Sequence, residues 1–175
     1  MRADAIRQVL PVAYQSADGG SALEDLLAVM EAMHAPVEAV LDDLDRYVDP
    51  RRCPDPFVAY LAGWVGLGWL VEGPLPAGGF PTGLGRLREL VARAGPLAER
   101  RGTAEGLRRF LGLLLGEADV AVDQAVGRPF SAVVTVPARA RPHEELVRRA
   151  IDELKPASVQ VELRFAAPAG PDEEG

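Results

Sequence analysis

The sequence is poor in several residue types, with one cysteine, two histidines and an aromatic share of only 6%. A lone thiol, Cys53, excludes an intramolecular disulfide framework and fits assembly in a reducing cytoplasm; set in a proline-rich turn, it reads as a packing residue. His34 and His143 fall on different predicted helices, without a second histidine or a cysteine at ligand spacing, so no metal site is expected. Lysine is nearly missing: of 19 basic residues only Lys155 is lysine, a bias that a GC-rich genome explains more simply than a need for bidentate guanidinium pairing. Positive charge is also outweighed. The net charge of -7 and pI near 4.9 argue against nucleic acid as a partner, because phosphate affinity comes from clustered cations. A long hydrophobic run is lacking too. The uncharged stretch 56–71 is shorter than the roughly 20 residues of a membrane-spanning helix and is interrupted by Pro56, Gly63, Gly66 and Gly68. No membrane insertion is expected, and Asp4 stands where a signal peptide would carry basic charge.

What remains is a chain of 175 residues, 48% apolar and 26% charged, enough for one compact domain or two small lobes sharing a core. Residues 1–20 read as an extended lead-in, because Leu10-Pro11 disfavours helix and Gly19-Gly20 ends the segment. A capping box, Ser21 with Glu24, then opens a helix. Along it Leu23, Leu26, Leu27, Met30, Met33, Val37, Val40, Leu41, Leu44 and Val48 recur at three- and four-residue steps, with acids largely at the other positions. Pro36 lies inside this stripe, where a kink or a restart is expected. The stripe is either the chain's own core or a seam against another subunit, since its spacing over nearly four heptads is that of a coiled coil.

Asp55, followed by Pro56, is placed to cap a second helix that carries Phe57, Tyr60, Leu61 and Trp64 on one side. A long, exposed, turn-rich loop is expected from Gly73 to Gly83. The glycines at 63, 66 and 68 lack the preceding strand and the lysine of a phosphate-binding loop, so no nucleotide site is expected. A third helix is predicted over about 84–98. Arg101, Gly102 and Thr103 then form a structural corner: Gly102 ends one helix in the left-handed conformation and Thr103 caps the next. That next helix carries Leu107, Phe110, Leu111, Leu114 and Leu115 before Gly116. Beyond it the period changes from helical to alternating, with strands over 118–124, 130–136 and 159–165 and a helix between the last two that starts at Pro142 and stops at Pro156. Residues 166–175 are too poor in apolar side chains to order on their own. The fold class is α+β, mainly α: a helical bundle region over 21–116, a small β-β-α-β unit over 117–165 and a disordered tail.

No catalytic constellation emerges. Cys53 has no histidine beside it in a motif, and Asp42 and Asp43 are neighbours whose side chains point about 100° apart on a helix, as on a solvated face. No catalytic residue, cofactor or small-molecule substrate is expected.

Several segments, in order, resemble the tail protein I family. They are Leu10-Pro11-Val12-Ala13-Tyr14-Gln15; His34-Ala35-Pro36-Val37-Glu38; Asp49-Pro50 with Pro54 and Phe57; Leu61-Ala62-Gly63-Trp64-Val65-Gly66-Leu67; Arg101-Gly102-Thr103; and Leu154-Lys155-Pro156-Ala157. The likeness covers about residues 10–165, and the chain departs from the family at its Gly/Pro-rich insertion, 73–83. The resemblance implies a non-enzymatic baseplate wedge subunit of a contractile phage tail or related injection particle. Its implied partners are larger J-like wedge subunits and neighbouring wedges in a six-fold baseplate. It would be made in the bacterial cytoplasm and then built into the particle. The resemblance also implies that the stripe at Leu23, Leu26, Leu27, Met30, Met33, Val37, Val40, Leu41 and Leu44 is a shared seam. The competing readings are a free-standing helical adaptor or regulator, and an enzyme of unrecognised type.

Overall fold

A computed structural model describes residues 2–15, 22–71 and 79–166. The chain forms two compact units, residues 1–46 and 47–175.

In the first unit, α1 (Arg2–Val9) and α2 (Val12–Gln15) precede the long α3 (Ala22–Asp42). Over its described residues, 2–15, the expected extended lead-in is therefore helical except at Leu10-Pro11. Arg, Ala and Gln favour helix, and Pro11 restricts only Leu10 before it, so the break is confined to that pair. Gln15 bridges the break by donating from Nε2 to the carbonyls of Leu10 at 2.6 Å and Gln8 at 3.2 Å. Arg7 donates to Glu24 at 2.6 Å, tying α1 to α3. The predicted cap at Ser21 lies outside the described residues. Nor does the chain restart at Pro36: α3 runs through it and breaks at Asp43, after which α4 (Leu44–Val48) begins. One lost amide donor is tolerable when the flanking turns keep theirs.

The second unit starts in α4 and continues with α5 (Asp55–Trp64), α6 (Leu84–Ala92), α7 (Ala94–Ala98), α8 (Ala104–Leu115), β1 (Ala121–Gln124), β2 (Ser131–Val136), α9 (Glu144–Leu154) and β3 (Gln160–Phe165). The fold is α+β and mainly helical. The single helix predicted over 84–98 is divided at Arg93, because Pro96 has no amide hydrogen and its ring would crowd the carbonyl of Ala92; in the first turn of a new helix it fits. A short 3-10 segment, Ala138–His143, contains Pro142, so α9 starts two residues later than its proline suggests. Phe80 is buried, so the 73–83 loop is anchored in the core at that point; most of the rest of it, like the tail beyond Ala166, lies outside the described residues.

The sheet has the order β1-β2-β3. β1 and β2 are antiparallel, with Ala121 opposite Thr135, and β2 and β3 are parallel, with Val134 opposite Leu163. A parallel return needs a crossover, and α9 is that crossover. Its Val147, Ala150 and Ile151 meet Val134 and Val136 from the sheet and Phe110, Leu111 and Leu114 from α8 in one cluster. Trp69 stacks on Phe110 at 5.8 Å. Helices and strands of this unit therefore share one core.

Candidate interaction surfaces

Two features of the molecule are candidate surfaces: the corner between α7 and α8, built by specific local chemistry, and the apolar face of α3. At the corner, Gly102 adopts φ 78°, the left-handed region that disfavours side chains, so the chain reverses where the sequence predicts it. The Thr103 hydroxyl accepts from the Gly106 amide at 3.0 Å and donates to the Arg100 carbonyl at 2.7 Å. One side chain thus caps the start of α8 and closes the end of the preceding turn. Arg101 donates to the Glu153 carbonyl at 2.7 Å, joining the corner to the end of α9. Gly106 completes the device and was not singled out from sequence. A Cβ there would lie 2.0 Å from the Arg100 carbonyl oxygen, so only glycine lets the two backbones approach. Its four-residue spacing from Gly102 is the signal that could have marked it.

Beside the corner lies a cleft of about 490 Å³, lined mainly by apolar residues that include Leu107, Val122, Phe130, Pro156 and Val161. Asp123 and Lys155 are among its polar members. Phe130 is 69% exposed and has φ 56°, the one positive φ outside glycine among the described residues. The cleft offers contact area, not a nucleophile with a base beside it.

Long-range polar contacts escape sequence reading. Arg88 donates to the carbonyls of Pro50 at 2.5 Å and Cys53 at 2.8 Å and to the Asp55 carboxylate at 2.6 Å. Asp55 consequently does not cap α5: Pro54 holds the cap position, and the carboxylate is taken by a guanidinium, a stronger partner than an amide. Cys53 is buried beneath this clamp, as a packing residue would be. On α8, Glu105 accepts from Arg108 at 2.8 Å and from Arg109, and these bonds, that from Arg108 first, hold its carboxyl at about 2, against an ordinary value of 4.5. Arg139 lowers the Glu117 carboxyl in the same way, with Arg86 adding its charge. These are structural ion pairs on exposed surfaces.

The stripe on α3 has a different character. Among the seam candidates Leu27 is buried and Leu23 half-buried, whereas Leu26, Met30, Met33, Val37, Val40, Leu41 and Leu44 are exposed, Met33 to 72%. Val29, outside the predicted set, is 57% exposed and extends the same apolar surface. Within α5, Val58, Leu61 and Ala62 face the core. Tyr60 and Trp64 are exposed instead, in a series of edge-on and tilted ring contacts that runs from Tyr47 through Phe57 at centroid spacings of 5.1–5.8 Å.

His34 and His143 lie on separate elements, and no group of three or more metal-ligating side chains is assembled among the described residues. No described helix is long and apolar enough to cross a membrane. None of the curated proteins matches the chain. A family model described as Phage tail protein (Tail_P2_I) matches residues 16–158, a span that holds α3, the corner and the β1-β2-α9 unit. The chain therefore belongs to this phage tail protein family and is a structural component of a phage-tail particle.

Proposed function

We propose that the chain is a baseplate wedge subunit that joins larger J-like subunits through the apolar stripe that runs along α3 and reaches Leu44 at the start of α4. The observation that carries this reading is the exposure of that stripe. Leu23, Leu26, Met30, Met33, Val37, Val40 and Leu44 succeed one another by alternating steps of three and four, the spacing of a coiled-coil seam. All but Leu23 are exposed. A run of large apolar side chains left in water is costly for a monomer and marks a surface meant for a partner. Six such wedges around a central spike would carry a change at the baseplate rim to the sheath by repacking rigid interfaces between discrete arrangements, with no covalent chemistry. The chain would assemble in the bacterial cytoplasm before entering the particle.

The test is co-purification of the Leu26→Asp, Leu44→Asp double variant with the larger wedge subunit. Each leucine contributes roughly 1.5–3 kcal/mol on full burial, and a carboxylate in its place would be desolvated without a partner. The expected result is a folded chain that fails to co-purify, with its strand signal in circular dichroism intact. Normal co-purification overturns the reading, and global unfolding assigns the stripe to the chain's own core.

A further inference from the structure

Strand β3 lies at one edge of the sheet. Gln160 donates its amide to the Phe130 carbonyl and Ala166 to the Val136 carbonyl, both at 2.8 Å. In a parallel ladder every second residue turns its backbone groups to the neighbour, so the even-numbered residues of β3 face β2. Val161, Leu163 and Phe165 accordingly aim their N–H and C=O groups away from the sheet. No backbone hydrogen bond from these three to another element occurs among the described residues. The edge runs for six residues with neither proline nor bulge, whereas β1 at the opposite edge has four. An open edge of this kind is a template for another strand.

We propose that this edge pairs with the same edge of a second copy, antiparallel about a two-fold axis at Leu163. The charges select the register. Gln160, Glu162 and Arg164 form the exposed face, and Val161, Leu163 and Phe165 are half-buried on the core side. Centred on Leu163, the pairing sets each Glu162 opposite Arg164 of the second copy and each Val161 opposite its Phe165, and outward backbone groups meet outward backbone groups. The Glu162 and Arg164 positions are then the non-hydrogen-bonded ones, where facing side chains come closest. Within one chain Arg164 already donates to Glu162 at 2.8 Å. Two such pairs would become a four-charge ladder of alternating sign. A register centred on Glu162 would instead oppose two carboxylates, and one centred on Arg164 two guanidiniums. A contact of this kind is isologous and closes on itself, so it gives a dimer and not a filament.

Sedimentation of the full chain over a wide concentration range tests the proposal, with E162R and R164E as single variants. Both substitutions are on exposed side chains, and circular dichroism checks that each variant is folded. The parent is expected to pass from monomer to dimer, and each variant to weaken the dimer at least tenfold. An equimolar mixture of the two variants should associate as the parent does, because each supplies the sign that the other lacks. A parent that stays monomeric, a dimer indifferent to E162R, or a mixture that fails to associate would each overturn the proposal. The outcome is independent of the α3 seam, which L26D and L44D address.

Discussion

Gly102 and Gly106 occupy the same corner for different reasons, and substitution separates them. At Gly102 the constraint is backbone conformation: a β-branched side chain at φ 78° costs on the order of 1–3 kcal/mol. At Gly106 the constraint is space, because a methyl group would meet the Arg100 carbonyl oxygen at 2.0 Å. Backbone cannot rotate aside as a flexible side chain can, so overpacking of about 1–3 kcal/mol is expected. Urea unfolding of Gly102→Val and Gly106→Ala should show both less stable than the parent. Gly106→Ala should in addition lose the protection of the Gly106-position amide that the Thr103 hydroxyl accepts. An unchanged midpoint for either variant would remove the corresponding constraint.

Elements in this chain are set by a mixture of local and distant chemistry, and only the local part is legible in sequence. β3 announces itself by alternation, and the corner by a glycine and a threonine that act on their own backbone. α1 was missed because one Leu-Pro pair weighs heavily in a short window, although its conformational effect is confined to the residue before the proline. Asp55 satisfied every local rule for a cap, and a guanidinium 33 residues away took the carboxylate instead. No window of sequence contains that competition. At α8, by contrast, Glu105, Arg108 and Arg109 are in local register, three and four residues apart, and yield a prediction in pH. With a folded value of about 2 against an ordinary 4.5, the Glu105 carboxylate contributes stability that is fully present above pH 4.5 and is lost as pH falls through 2. Carboxyl chemical shifts should titrate with a midpoint near 2, and Glu105→Gln should flatten the acid loss of stability over that window. A midpoint near 4.5 would mean that the two arginines do not hold the carboxylate in solution.

For the whole molecule the decisive contrast is in where side chains are buried. Every buried apolar residue of the described chain except Leu27 lies beyond residue 46, in one cluster that joins α5, α6, α8, α9 and the sheet. The second unit thus contains what a cooperative fold needs, while the first has a 21-residue helix with one buried side chain and a series of exposed ones. A polypeptide of residues 47–175 should therefore unfold in a single cooperative transition with a melting temperature close to that of the full chain. Residues 1–46 alone should show the marginal helicity of segments that lack a packed face. Loss of cooperativity in the 47–175 fragment would mean that the first unit stabilises the second by more than its own burial indicates. Retained cooperativity would leave α3 with little to do for the stability of this chain. Its conspicuous apolar face would then have to be explained by what it joins, and burial of that face against a partner is the step that would convert a marginal helix into a rigid strut.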